Sequence, residues 1–258
     1  MGTITAAKQP YEPEVLELAG KVALVTGGTT GIGRATALLL AKKGLKVVVY
    51  GRHEQELKDA LRDLEAVGGD SHGLVADQAY EDQVLRVFAE TRQRFGDPEI
   101  LINNAALPGG SILETSYDDA HYVLRANVLG YLACIREAVK GMRARGSGHI
   151  VNVGSMSAEV REAGSDLYVA TKAAIQALSE SLRKRLGPEG IRVSLVEPGS
   201  VGTNLASDQP DIGEQVAQQA AGEMLEAEDI AHAIWCVLVQ PPRSNVYTLQ
   251  IGPVKQPI

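Results

Sequence analysis

Short, nearly unbroken apolar runs rich in β-branched residues alternate along this chain with longer segments in which apolar residues recur at helical spacing. Val22–Thr26, Lys46–Tyr50, Gly73–Ala76, Ile100–Asn103, His149–Val153, Ile191–Val196 and Asn245–Ile251 read as strands. Their continuity suits strands covered on both faces. Helical spacing runs over Arg34–Lys43, Glu54–Val67, Tyr80–Phe95, Tyr117–Arg145, Leu167–Leu186 and Glu228–Val239. Gly44 and Gly187-Pro188 end two of these helices, and Pro241-Pro242 follows a third. Strand–helix alternation over this length predicts an α/β fold with a parallel, doubly wound sheet and helices on both faces. Residues 1–19, with Pro10, Pro13 and three glutamates, read as a loosely ordered extension, and 20–258 as one domain. The weakly patterned stretch Gly202–Gln215 reads equally as a surface loop or as a lid over a site.

At 258 residues and 45% apolar, the chain has the material for a large core. Its net charge of −7 and the lack of a basic run exclude a nucleic-acid backbone as partner. Cys134 and Cys236 lie in apolar helical patterns and read as buried thiols of a reducing compartment, neither a disulfide nor a metal pair. The five histidines show no metal-ligand spacing, so no metal is expected. No run has the length of a membrane span, and the start lacks the apolar core of a signal peptide. A cytoplasmic protein acting on a small molecule is expected.

Chemistry first shows itself at Thr26-Gly27-Gly28-Thr29-Thr30-Gly31-Ile32-Gly33, which directly follows the first strand and opens the first helix. Gly27 permits a tight turn, Gly31 lets backbone approach a pyrophosphate, and Gly33 lets helix and strand pack closely. The helix start then offers unpaired N–H groups to an anion. At the end of the second strand a carboxylate would select a ribose 2′-hydroxyl, whereas an arginine accommodates a 2′-phosphate. Val49-Tyr50-Gly51-Arg52-His53 holds no acid, and the planar Arg52 guanidinium suits a phosphate. NADP(H) is therefore expected over NAD(H). Arg34 reads as an exposed first-turn cation.

Tyr168 and Lys172 lie one turn apart on a helix that begins near Gly164-Ser165-Asp166, and Ser155 lies thirteen residues before Tyr168. An ammonium beside a phenol is expected to lower the phenol's pKa toward the range where acid–base catalysis works. A non-catalytic dinucleotide-binding sensor is the competing reading, but it has no need of Ser155, Tyr168 and Lys172 together.

With Thr26–Gly33, Asn103-Asn104-Ala105-Ala106, Asn127, Ser155, Tyr168-x-x-x-Lys172 and Pro198-Gly199-Ser200-Val201-Gly202-Thr203 in order, the chain resembles the short-chain dehydrogenase/reductase family. Ala106 departs from the glycine common at that place. The resemblance implies a Rossmann-type seven-stranded sheet and assembly as a homotetramer or homodimer. By that resemblance Tyr168 is the acid/base, Ser155 holds the substrate oxygen, and Lys172 binds the nicotinamide ribose and lowers the Tyr168 pKa. Asn127 would hold a water on a proton path to Lys172. Gly27, Thr29, Thr30, Gly31, Ile32 and Gly33 belong to the dinucleotide turn. Asp77 and Gln78 correspond to the adenine contact, and Asn104 and Ala105 to the adenosine ribose. Pro198, Gly199, Val201 and Thr203 correspond to the segment embracing the nicotinamide. The substrate would be a carbonyl or alcohol, including 3-hydroxy acids. Arg161 is a candidate for a substrate carboxylate, although a surface cation explains it better.

Overall fold

A computed structural model describes residues 15–203 and 212–255. Seven strands form one parallel sheet: β1 (Val22–Thr26), β2 (Lys46–Gly51), β3 (Ser71–Val75), β4 (Ile100–Asn103), β5 (Gly148–Val153), β6 (Ile191–Pro198) and β7 (Thr248–Ile251). Their order is β3-β2-β1-β4-β5-β6-β7. The helices are α1 (Gly31–Lys42), α2 (Glu54–Ala66), α3 (Glu81–Phe95), α4 (Tyr117–Leu124), α5 (Gly130–Arg145), α6 (Ser157–Val160), α7 (Asp166–Leu186), α8 (Ile212–Ala221) and α9 (Ala227–Leu238). The doubly wound α/β arrangement expected from the alternating pattern is the one observed.

Alternation along each strand divides the core in two. Ala23, Val25, Val47, Val49 and Ile102 face Leu40 of α1 and Ile234 of α9. Leu24, Val48, Leu101 and Ile150 face Phe88 of α3 and Met142 of α5. Both sheet faces are thus dry, which is why the central strands read as unbroken apolar runs.

Several boundaries differ from the sequence pattern. α1 begins at Gly31 rather than Arg34, because Thr30 in extended conformation caps it and the glycines form its first turn. β3 starts at Ser71, where its backbone meets Val47 of β2, so pairing and not hydropathy sets that end. β7 is confined to the four residues paired with Leu195–Pro198; Asn245 instead donates through its side chain to Val193 O. The stretch Tyr117–Arg145 is a single course of helix interrupted by a π-turn at Arg125–Leu129. Within the segment expected to be a loose extension, Leu18 is buried in the core and Leu16 N donates to Val239 O at 2.9 Å. The rest of that extension, residues 1–14, lies outside the described residues, as do 204–211 of the loop-or-lid stretch. Cys134 is buried as expected, but Cys236 is exposed, on the outward side of α9. Among the described residues no helix is long and apolar enough to cross a membrane, and no cluster of potential metal ligands occurs.

This topology fixes where a site forms. Chain order reverses between β1 and β4, so the connections leaving their carboxyl ends diverge and open a crevice. The tightest contact behind its wall is at Gly33, where a Cβ would lie 2.1 Å from Gly27 O. Gly33→Ala is expected to destabilise the protein by about 1–3 kcal/mol, as overpacking does. Urea unfolding reads this directly, and a parent-like midpoint would show that helix and turn separate without loss.

Candidate active site

A cleft of about 910 Å³ opens at the carboxyl ends of the strands. Nearly every residue singled out in the sequence lines it; Gly33 and Asn127 act from behind its wall. The glycine turn forms one side. Gly27 and Gly31 adopt positive φ (61° and 49°), a backbone region in which a side chain is strained. A Cβ on Gly27 would also approach Ala105 Cα to 2.9 Å. The first turn of α1 carries no acidic residue and Thr30 makes no side-chain cap, so its N–H groups are left for an anion. Thr29 packs under Gly51, and Thr203 lies over Gly31. Thr203 therefore closes the far side of the turn.

The turn is clipped to β4 by side chains. Thr26 Oγ1 accepts from Asn104 N and Ala105 N, both at 2.9 Å, and Asn104 Nδ2 donates to Thr26 O and Gly27 O. Gln78 is a brace of the same kind: its Nε2 donates to Ala105 O and Ala126 O at 2.7 Å, and its Oε1 accepts from Tyr50 Oη. Asn104 and Gln78 thus line the cleft and hold its shape with their side chains.

At the open end of β2, Arg52 donates to Tyr122 Oη at 3.0 Å, and Tyr122 Oη donates to Asp77 Oδ2 at 2.5 Å. Asp77 is held from its other oxygen by Ala79 N. Tyr122, on α4, escaped the sequence reading because it lies distant in sequence from both partners. Burial, and then Asp77, raise its pKa, so it stays a hydrogen-bond donor to that carboxylate. Arg34 is ion-paired with Asp63 on α2 and does not line the cleft.

At the other end, β5 and α7 bring Ser155, Tyr168 and Lys172 onto one wall. Lys172 is buried; its Nζ donates to Val153 O at 2.9 Å and lies 5.6 Å from the Tyr168 ring centre. Burial lowers its pKa to about 8. The expected lowering of the Tyr168 pKa is not what this geometry produces. Burial raises it, the Ser155 hydroxyl opposes that rise, and Glu162 reinforces it. The ammonium is engaged by a backbone carbonyl and is not hydrogen-bonded to the phenol, so desolvation wins. Tyr168 consequently holds its proton, as an acid must before donating it. Ser155 Oγ contacts Ser157 Oγ at 3.1 Å.

Asn127 sits in the π-turn, buried. Its Oδ1 accepts from Leu107 N at 2.7 Å and its Nδ2 donates to Leu107 O at 2.8 Å. Its amide therefore fixes the Leu107 wall of the cleft. Pro198 O accepts from Met156 N, Gly199 N donates to Ile251 O, and Val201 bridges Leu225, which pins this segment beside Tyr168. Arg161 does not line the cleft; its Nε donates to Ala158 O, so its candidacy for a substrate carboxylate falls.

Residues 21–212 match the family model described as short chain dehydrogenase. A protein described as an uncharacterized oxidoreductase, from Staphylococcus saprophyticus, is 33% identical over 93% of this chain and 100% of its own length. Among solved structures, the closed form of a serine dehydrogenase complexed with NADP+ superposes with a TM-score of 0.82 at 29% identity, over 92% of this chain and 96% of that one. An alcohol dehydrogenase from the archaeon Thermococcus sibiricus, complexed with 5-hydroxy-NADP, gives 0.83 at 25% identity, over 92% and 98%. A parallel sheet reversing at β1 and β4, a glycine turn there and a Tyr–Lys pair across the cleft agree with these matches: the chain belongs to the short-chain dehydrogenase/reductase family of oxidoreductases.

Proposed function

We propose that the protein is an NADP(H)-dependent oxidoreductase. It would move a hydride between the nicotinamide and a carbonyl or alcohol: reduction of a ketone or aldehyde, or oxidation of a secondary alcohol or a 3-hydroxy acid. One observation carries the reading. Ser155, Tyr168 and Lys172 share a cleft with an acid-free helix N-terminus and with Arg52. The NADP ligands named for two of the similar structures support the choice of dinucleotide. Homotetrameric or homodimeric assembly forms part of the same reading.

The residues fit such a cofactor. The glycine turn and the α1 N-terminus would hold the pyrophosphate, and Arg52, steadied by Tyr122, would meet a 2′-phosphate. Asp77 would receive the adenine, and Lys172 the nicotinamide ribose hydroxyls. The bound cofactor supplies or accepts the hydride. Ser155 would hold the substrate oxygen in either direction. Tyr168, which burial keeps protonated, would give its proton to that oxygen in reduction; in oxidation it would first release that proton to solvent and then take the substrate's. Asn127 would keep the Leu107 wall in place and hold a water leading to Lys172.

Tyr168→Phe is expected to lower turnover by at least about 100-fold, the range of general acid–base catalysis, with NADPH binding retained. Steady-state kinetics and cofactor titration check this together, and parent-like turnover would remove Tyr168 from the chemistry. Arg52→Asp should shift preference toward NADH; an unaltered ratio of kcat/KM for the two cofactors would exclude Arg52 as the phosphate contact.

Lys172 also predicts a conflict between stability and function. Its pKa is about 8 in the folded protein against 10.5 as the ordinary value. Between those values the unfolded chain binds more protons, so stability rises with pH across that window and the full penalty applies below about pH 8. Lys172→Met should therefore be inactive yet more stable at pH 7, by up to about 3 kcal/mol. The advantage should shrink toward pH 10 in urea titrations. A gap independent of pH would contradict the buried charge.

A further inference from the structure

The substrate half of the cleft carries one charge that the chemistry above leaves unused. Glu162 lines the cavity together with Ser155, Ser157, Ser165 and Tyr168. Its Oε1 accepts from Ser157 Oγ at 3.1 Å, which ties the carboxylate to the serine beside Ser155. Its charge also reaches Tyr168, where it helps retain the phenolic proton. The charged residues lining the rest of the cleft are Arg52, Glu56 and Asp77 at the β2–β3 end, where His53 also lies, and Lys172, which is buried and donates to Val153 O. Asp166, close by on α7, accepts from Ile112 N and does not line the cavity.

The placement of Glu162 comes from an unusual stretch of backbone. Arg161, the C-cap of α6, has φ 58° and ψ 56°, and is the one non-glycine residue with positive φ among those described. This left-handed residue follows four helical ones, so the chain reverses and Glu162 folds back over Ser157. A strained conformation of this kind persists where surrounding structure enforces it. Here it sends the Arg161 side chain away from the cavity and brings the Glu162 carboxylate to it. A substrate carboxylate would meet a like charge there. A substrate ammonium would meet its counter-ion.

We propose that Glu162 is a specificity residue for substrates with a cationic amine next to the reacting carbon, namely amino alcohols and the corresponding amino ketones. The proposal rests on the oxidoreductase reading and narrows it. In oxidation Tyr168 would first release its own proton to solvent; the carbinol carbon then gives a hydride to the nicotinamide of NADP+, the hydroxyl proton passes to the Tyr168 phenolate, and an amino ketone and NADPH result. The ammonium takes no part in the bond changes and serves only to orient the substrate against Glu162.

The test compares three alcohols of similar size and different charge, 1-amino-2-propanol, 2-butanol and 3-hydroxybutyrate, with NADP+ and the full chain. The expected order of kcat/KM is amine, neutral, acid, with about fivefold between the first two, as a solvent-accessible ion pair supplies. That ratio should fall as ionic strength rises. Glu162→Gln should collapse it, and Glu162→Lys should invert it in favour of 3-hydroxybutyrate. If neutral and acidic alcohols turn over as well as the amine in the parent, or Glu162→Lys keeps the parent's order, this proposal falls while the oxidoreductase reading stands. If no alcohol or matching ketone reacts with either cofactor, both fall. Should the lysine variant fail to fold, inhibition of the parent decides: isopropylamine must compete with 2-butanol at lower concentration than propionate, and the reverse order would overturn the assignment.

Discussion

One hydroxyl holds the two halves of the cleft together. Thr26 Oγ1, at the buried end of β1, accepts from the backbone of both Asn104 and Ala105 beyond β4. These two strands are the neighbours between which the chain order reverses, and the loops leaving them would otherwise diverge freely. With that tie in place the glycine turn lies against Ala105, and only glycine fits there. Without it two half-buried N–H groups would lose their acceptor, a loss of up to about 1–3 kcal/mol each. The anion-binding turn, the floor of the cleft and the wall set by Gln78 all follow from this contact.

The opposite end of the cleft is built from groups that a stable core would avoid. Lys172 is buried against Val153 O, and Glu197, on β6, is buried with one carboxylate oxygen lacking a hydrogen-bond partner. Burial raises the Glu197 pKa, with Lys172 acting in the other direction. Tyr168 is pushed toward its neutral form by the same desolvation. Buried charges at a cleft are costly to solvate and sensitive to what binds beside them, which is the usual association between perturbed ionisation and function. The rigid apolar sheet faces behind them supply the stability that this arrangement lowers.

What could be read in the sequence depended on distance along the chain. Tyr168, Lys172 and Ser155 lie within one strand–helix unit, so helix periodicity and a local count suffice to bring them together. The glycine turn is local in the same sense. Tyr122 was invisible because its partners, Arg52 and Asp77, come from other βα units and meet it only after the sheet has formed. Nothing in the spacing of Glu162 sets it apart from Glu159 and Arg161 beside it, and the left-handed Arg161 that redirects it has no signal in residue type, since arginine rarely adopts that conformation. Cys236 was misjudged because its apolar neighbours Ile234 and Val237 define the buried side of α9, whereas the thiol points outward. The direction of the Tyr168 ionisation could not follow from spacing alone, because it depends on what the Lys172 ammonium is bonded to.

The π-turn at Arg125–Leu129 has a consequence for how this helix tolerates change. A π-turn accommodates one residue more than an α-helical turn, and here the surplus is stabilised by the grip of Asn127 on the Leu107 backbone. Deleting a single residue within the turn would restore regular pitch with both halves keeping their faces, whereas deleting one from the regular helix on either side would swing one half by about 100° relative to the other. Either Tyr122 would leave its position above Asp77, or Cys134 and Ala138 would leave the core. The length of the flanking helix is therefore set to the single residue, while the turn can lose one at the cost of the Asn127 grip on Leu107.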